Sequence, residues 1–595
     1  NGLGFASAYK PIDNVGIKIY NRITCLIDRN KSCKEAAEKN NVSEVDHMKK
    51  RNRFKWIAAF LAAGVLTAVP AMATETPEEK PAARTKEEMD ARFAYQDEIL
   101  EVLKEEQAAK YPMEEAQIIV DPFELSPLTA MAIFETEEES QISVTVKGKD
   151  EASTVHYDFP DSATSHCVPI YGLYADTDNE VEMTATKADG TQETYTYTVT
   201  TDVLMDDISL RDLTVSEPDK MAPGFTFVDC PHINGNFLLA IDSNADIRWY
   251  LTDKSMNGCL MLTHLKNGNL IVGTGEKIPD AYNNLYGFYE VTPMGQLVRS
   301  YQIYGAHHDV REKENGNLLV AASKEGRESQ NDYIVELDRN TSEVVDEWDF
   351  MEIIPMNEYD TQPPYTGGLS NWMHNNAVWY DEASNDFIVS GRHQNMILRF
   401  NAETREIKWI FSGTVFDRNE NLLPYKLTPI GDDFEYPTSQ HASMLTPEGD
   451  LLLFDNRNFD IQDEEGNLDQ EKMYSRGVRY HIDEENMTIE EVWQYGKEQG
   501  NQLYSSFSSD IDYLGEDHYL IDFGGMYQEE DGTSYDHILT DSEVKNASGR
   551  NATIVEINND EIVFQVKLYG NTQSNSYKAE RKDIYQNAKE IQLGE

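Results

Sequence analysis

The stretch Asn315-Gly316-Asn317-Leu318-Leu319-Val320 decides the fold, because it is a glycine-bearing polar turn that opens directly into an apolar strand. The phrase returns at Asn267-Gly268-Asn269-Leu270-Ile271-Val272 and at Glu448-Gly449-Asp450-Leu451-Leu452-Leu453, with looser versions over 376–390 and 511–522. Second hairpins follow: Ile334–Asp338 leads to Trp348, Leu398–Asn401 to Trp409, and Arg479–Asp483 to Trp493. Tyr289–Val291, Ile554–Asn558 and the hairpin Phe237–Tyr250 bring the second hairpins to six. Units of roughly 45–70 residues, each worth four strands, are the pattern of a β-propeller. A lone four-stranded unit cannot bury both faces, whereas a closed ring of them can. The reading is an all-β chain with a six-bladed β-propeller over 203–595, its last blade drawing strands from both chain ends. The uneven spacing of the repeats implies loops inserted on one face, where such a ring keeps its chemistry.

Upstream of the repeats the period is also two. Ile142-Ser143-Val144-Thr145-Val146 and Tyr195-Thr196-Tyr197-Thr198-Val199 alternate between turns at Gly148 and Asp189-Gly190, which predicts a small β-sandwich over 116–202. Residues 74–115 read as a Pro/Glu/Ala-rich linker followed by one extra N-terminal amphipathic helix over 85–109. Thr85-Lys86-Glu87-Glu88 has the form of a capping box, and Met89, Phe93, Leu100 and Leu103 recur near helical spacing behind it.

Residues 48–73 have the layout of a secretory signal peptide: basic Lys49–Lys55, apolar Trp56–Val69, and the small-x-small site Ala71-Met72-Ala73. The apolar run is short for a membrane span. The protein is therefore expected to be exported, periplasmic or extracellular, with no membrane attachment after cleavage near Thr74. Residues 1–47 precede Met48 and are expected to be an over-extended upstream translation.

The 595 residues carry a formal charge of −55. Without residues 1–73 there remain 39 basic against 100 acidic residues, a net charge of −61. So acidic a surface excludes nucleic acid and anionic membranes as partners. Any anionic substrate needs a site that inverts this field locally. Cys25 and Cys33 fall in the upstream segment, and Cys167, Cys230 and Cys259 leave at most one internal disulfide, with no Cys-x-x-Cys spacing.

Three histidines stand out by register. His308 lies eight residues before the turn Gly316, His441 eight before Gly449, and His374 at the matching start of the strand between them. Equivalent positions on successive blades converge on one mouth of a propeller's channel. Asn376 follows His374 on the same strand face, and Arg392 ends the paired strand. Histidines with Asn and Arg suit a tetrahedral anion. A tri-histidine zinc site is the metal alternative, but a neighbouring guanidinium counts against it, so no metal is assigned. The acidic loop Asp463–Asp469 misses the spacing of a calcium loop and reads as solvated.

These residues sit in longer matches. Val168–Tyr174, Asn371–Asn376, Ser390–Gln394, Ser439-Gln440-His441, Leu453–Asn456, Met473–Arg476 and Val492–Glu498 resemble the bacterial aryl-sulfate sulfotransferases that work without a nucleotide sulfate donor. The resemblance runs from about Ala116 to the C-terminus. It implies a six-bladed propeller behind a small β-sandwich, and transfer of a sulfuryl group from an aryl sulfate to a phenol with no cofactor. It also implies a covalent sulfo-histidine and ping-pong kinetics, small-molecule aryl sulfates and phenols as partners, and a homodimer. The family's Gln-His motif places the nucleophile on His441, with His308, His374 and Arg392 as catalytic support and Asn376 as a substrate donor. Ser508, in Tyr504-Ser505-Ser506-Phe507-Ser508, stands where the family can have Thr and is carried over for its hydroxyl. The loop 412–440 lacks the cysteine pair some members carry.

Three other readings stand beside this one. Water intercepting the intermediate gives an aryl sulfate hydrolase. A non-catalytic exported binding propeller keeps the blades without needing the three histidines and Arg392 together. Asp338…Trp348 and Asp483…Trp493 faintly resemble quinoprotein blades, without their marker glycine.

Overall fold

The computed structural model describes residues 81–593 except 206–209, 231–236, 253–261, 275–276, 279–280, 282–283, 355–368, 414–419, 459–468, 470–471, 529–549 and 570–574. The signal peptide, the upstream segment, Cys259 and most of the acidic loop 463–469 lie outside the described residues, as does the side chain of Cys230. The Cys167 thiol is buried and free.

Six sheets follow one another along the chain. Sheet I contains Phe225–Cys230, Phe237–Ile241 and Ile247–Tyr250. Sheet II runs Thr263–His264, Leu270–Gly273, Leu285–Val291, Leu297–Ala306, and sheet III runs Val310–Glu312, Leu318–Ala322, Tyr333–Leu337, Val344–Asp349. Sheet IV runs Asn375–Asp381, Asp386–Gly391, Met396–Asn401, Ile407–Ser412. Sheet V runs His441–Leu445, Leu451–Asp455, Arg476–Asp483, Thr488–Tyr495, with Thr428–Ile430 added in parallel. Sheet VI runs Asp510–Gly515, His518–Tyr527, Arg550–Asn558, Glu561–Tyr569. Successive sheets touch from II to VI, Lys578–Lys582 of sheet I lies against Asp510–Gly515, and His264 of sheet II is 2.6 Å from Glu580 of sheet I. The succession is thus propeller-like and closes on itself.

Two sheets, not the last alone, splice the ends of the chain. Leu210–Ser216 pairs with Glu561–Tyr569 on the outer edge of sheet VI, and Lys578–Lys582 pairs with Phe225–Cys230 on the inner edge of sheet I. Each terminal segment of the ring is thereby held by pairing with a strand from the other end of the chain.

The repeated phrase has a physical reason at each of its parts. Gly268, Gly316 and Gly449 have φ of 85°, 88° and 90°, the left-handed turn that a side chain would strain. The apolar residues after them are fully buried, Leu318, Leu319 and Val320 among them. The tryptophans tie one sheet to the next through the indole N–H: Trp249 donates to Pro293 O (2.5 Å), Trp348 to Ala402 O (2.8 Å), Trp409 to Glu484 Oε1 (2.8 Å) and Trp493 to Asp560 Oδ1 (3.2 Å).

The upstream region is a curled five-stranded sheet, Gln117–Val120, Ala130–Val146, Val155–Ile170, Asp178–Lys187 and Gln192–Thr200. Ala130–Val146 bends between two partners, pairing Gln117–Val120 with its first half and Asp178–Lys187 with its second. A strand that changes partners at a bend lets one sheet make both layers of a sandwich. The predicted alternation is seen in Ile142, Val144 and Val146, all buried. Fully buried Arg248 of sheet I fastens this region to the ring by donating to Gly172 O (2.6 Å), Ser153 O (2.8 Å) and Asp242 (2.8 Å).

The N-terminal helix, α1, spans Pro81–Gln107. It starts a turn earlier than predicted, so Thr85 lies inside it rather than at its cap; Pro81 suits a first helical position and Ala82 and Ala83 propagate from it. Gln96 both donates to Leu297 O (2.8 Å) and accepts from Leu297 N (2.6 Å), which caps the outer edge strand of sheet II.

Candidate active site

The first strands of sheets III, IV and V bring the three registered histidines together. His308 and His374 precede Val310–Glu312 and Asn375–Asp381 with φ of 53° and 49°, and His441 opens its own strand. Left-handed backbone at non-glycine residues is strained, and here it turns two imidazoles toward one point. The rings of His308 and His374 are 4.9 Å apart, and Tyr577 faces both His308 (5.6 Å) and His441 (5.9 Å). All three histidines are buried.

The hydrogen-bond network fixes each imidazole's protons. His441 Nδ1 is 2.6 Å from Asn456 Oδ1 and 3.1 Å from Ser439 O. A carbonyl only accepts, so Nδ1 carries the hydrogen and Nε2 keeps a lone pair. His307 Nε2 donates to Ala322 O (3.1 Å), which makes its Nδ1 the acceptor of the 2.8 Å bond from His308 Nδ1. His308 therefore also presents a lone pair at Nε2. His374 is the opposite case: Asn371 Nδ2 donates to its Nδ1 (2.9 Å), so its Nε2 bears hydrogen.

Burial keeps these rings neutral. His441 is pushed down to about 3 by burial first and by Arg392 second, against the bond from Asn456. His308 and His374 lie well below the ordinary histidine value for the same first reason, with neighbouring imidazoles and Arg392 adding to it. His307 and His393 are each lowered to about 4, again mainly by burial.

Arg392 begins the single turn Arg392–Gln394 after Asp386–Gly391, and its N–H bonds His374 O (3.2 Å). Among the described residues its guanidinium makes no ion pair, so the site has one cation uncommitted to a carboxylate. That is the local inversion an anionic substrate needs in so acidic a chain.

Asn376 Nδ2 donates to Gln440 O (2.8 Å), which ties it to the strand of His441. The Ser508 carbonyl accepts from Asn456 Nδ2 (2.9 Å). Gln440 adds to the same join with sheet IV: its Nε2 donates to Ser390 Oγ (3.0 Å) and Met396 O (3.0 Å). Asn456, His307, Asn371 and His393 have site contacts that sequence reasoning did not assign, although all but His307 lie inside the motifs quoted for the resemblance. Tyr577 was missed: it precedes Lys578–Lys582, the inner strand of sheet I, as His374 precedes Asn375–Asp381, but that strand comes from the far end of the chain and lacks the turn phrase that marks the others.

The family model described as Arylsulfotransferase (ASST) matches residues 212–578, and that described as the arylsulfotransferase Ig-like domain matches 117–202. The chain is 26% identical over 512 residues to the arylsulfate sulfotransferase AssT of Lelliottia amnigena, covering 69% of this chain and 84% of that one. It is 26% identical over 521 residues to the Escherichia coli protein of the same name, with the same coverage. Among solved structures, the periplasmic gluconolactonase PpgL of Pseudomonas aeruginosa aligns at a TM-score of 0.28 and 8% identity, over 75% of this chain and 100% of that one.

Proposed function

Because the chain belongs to the arylsulfotransferase family, we propose that it moves a sulfuryl group from an aryl sulfate to a phenol through a sulfated His441, without a nucleotide. The observation that carries this reading is the uncommitted Nε2 lone pair of His441, held in place through Nδ1 by Asn456 and set beside Arg392. A neutral imidazole can attack sulfur at once, with no prior proton loss. Arg392 and the Nε2–H of His374 then donate to the sulfuryl oxygens as charge shifts toward the leaving phenolate.

The tautomers divide the remaining work. His308 has a lone pair at Nε2 and takes the proton of the incoming phenol; His374 presents a hydrogen and supports the sulfuryl group. Asn376 and Gln440 hold the nucleophile's strand, and the carbonyl of Ser508 holds Asn456. The enzyme acts outside the cytoplasm after signal cleavage. No helix among the described residues is long and apolar enough to cross a membrane.

The test uses a chromogenic aryl sulfate with and without added phenol, and no nucleotide. Release that depends on the phenol and is lost in His441→Ala is expected. Release untouched by that substitution rejects the proposal, and release independent of phenol makes the enzyme a sulfatase.

A further inference from the structure

We infer that Asp510 stores the proton that the two half-reactions exchange, a role that rests on the transfer reading above. The pocket lined by His308, Asn376 and Tyr577 is also lined by Asp309, Arg311, Asp510 and Lys578. Around it four carboxylates, Asp309, Asp510, Asp512 and Glu580, meet three cations, Arg311, Lys578 and Lys582. The cations near Asp510 are taken by other acids. Arg311 Nε is 3.2 Å from Asp309 Oδ2, and Lys578 Nζ is 3.3 Å from Glu580 Oε1 and 3.7 Å from Asp309 Oδ1.

Asp510 is 5% exposed, has no cation at salt-bridge distance among the described residues, and its Oδ2 has no hydrogen-bond partner there. Asp522, on the paired strand, adds a further acid to its surroundings. A buried carboxyl group without a counter-ion keeps its proton. Burial first, and Asp512 second, hold Asp510 well above the ordinary carboxylate range.

Transfer needs such a store. His308 is neutral at rest and has no spare proton for the leaving phenolate, yet it gains one from the acceptor later. In the first half the S–O bond to the donor phenol breaks as S–Nε2 of His441 forms. Asp510 gives up its proton through a water, for which the pocket has room, to His308 Nε2, which relays it to the phenolate oxygen and returns to its neutral form. In the second half the acceptor oxygen attacks sulfur, the S–Nε2 pair returns to His441, and the phenol proton passes through His308 to the Asp510 carboxylate. The carboxylate exists only while His441 carries the positive sulfo-imidazolium ring, so the pocket's charge is balanced throughout.

Asp510→Asn copies the neutral acid in shape and removes its proton. With one fixed phenol as acceptor, kcat/KM for the donor, which reads the first half-reaction alone, is measured for a series of aryl sulfates, from the acidic leaving group 4-nitrophenol to unsubstituted phenol. The loss in Asp510→Asn should be under about threefold for 4-nitrophenyl sulfate and about tenfold or more for phenyl sulfate. A loss equal across the series, or none, overturns the proposal. Should the variant not fold, the wild-type series decides: a shallow dependence on leaving-group basicity supports proton delivery, and a steep one overturns it. A normal rate in His441→Ala rejects the underlying transfer reading, a result distinct from either.

Discussion

Asn456 Oδ1 lies 2.6 Å from His441 Nδ1, while the Asn456 amide nitrogen donates to the carbonyls of Ser505 (2.8 Å) and Ser508 (2.9 Å). Two carbonyl acceptors leave the amide one orientation, with its oxygen toward His441, the proposed nucleophile. The partner is neutral, so it orients the imidazole without making it a cation. Asn456→Asp would place a carboxylate there and raise His441 from its value of about 3. Below the raised value the nucleophile is protonated and inert. The kcat/KM profile of Asn456→Asp should gain an acid limb between about pH 5 and 8 that the parent lacks. Asn456→Ala, which loses orientation, should drop about 10²-fold with an unchanged profile. Superimposable profiles for Asn456→Asp and the parent would contradict this assignment.

Arg392 is the second test. Its guanidinium is free of carboxylates among the described residues and lowers His441, so its charge reaches the nucleophile. Arg392→Ala should lose about 10²–10³ in kcat, the range for removing one oxyanion donor. Arg392→Lys should recover little, because an ammonium cannot make the paired planar bonds of a guanidinium. Steady-state kinetics on both variants with one donor checks this, and full recovery by lysine argues against paired donation.

Much of this was legible in the residues. Gly268, Gly316 and Gly449 mark turns that need a left-handed backbone, and the tryptophans that follow reach into neighbouring sheets, so the repeat is written in residues with local jobs. The histidine register was legible for the same reason. The bonds that Asn376 and Ser508 make were not, since a side chain's partner on another sheet leaves no trace in spacing. Asp510 opens the hairpin of the looser repeat over 511–522, where no histidine marks the position, and Tyr577 precedes a strand that joins sheet I from the far end of the chain.

Asp522 gives a pH-dependent stability prediction. It is fully buried, its Oδ1 accepts from Ser576 Oγ (2.5 Å), and burial raises it to about 7. A folded value above the unfolded one means stability is fully present below the unfolded value near 4 and is lost as pH rises through about 7. Asp522→Asn lacks this loss. The unfolding free energy of the parent relative to Asp522→Asn, followed by denaturant melts, should fall from pH 4 to about 7 by on the order of a few kcal/mol and then level. A difference that is flat across that window, or that has the opposite slope, rules the linkage out.

Tyr577 bears on the choice between transfer and hydrolysis in the proposed reaction. Its ring is buried against His308 and His441, and its hydroxyl makes a long 3.4 Å bond to Asn376 O. If His441 is sulfated as proposed, the ring is the group placed to keep water from it. Tyr577→Phe should leave the partition between transfer and hydrolysis close to that of the parent. Tyr577→Ala opens a cavity beside the nucleophile, costs about 3 kcal/mol or more of stability, and admits water. Phenol-independent release from a chromogenic aryl sulfate should rise in Tyr577→Ala while product sulfated on the acceptor falls. The measurement is the ratio of sulfated phenol to inorganic sulfate at one acceptor concentration. If that ratio is unchanged in Tyr577→Ala, water is excluded by something other than this ring.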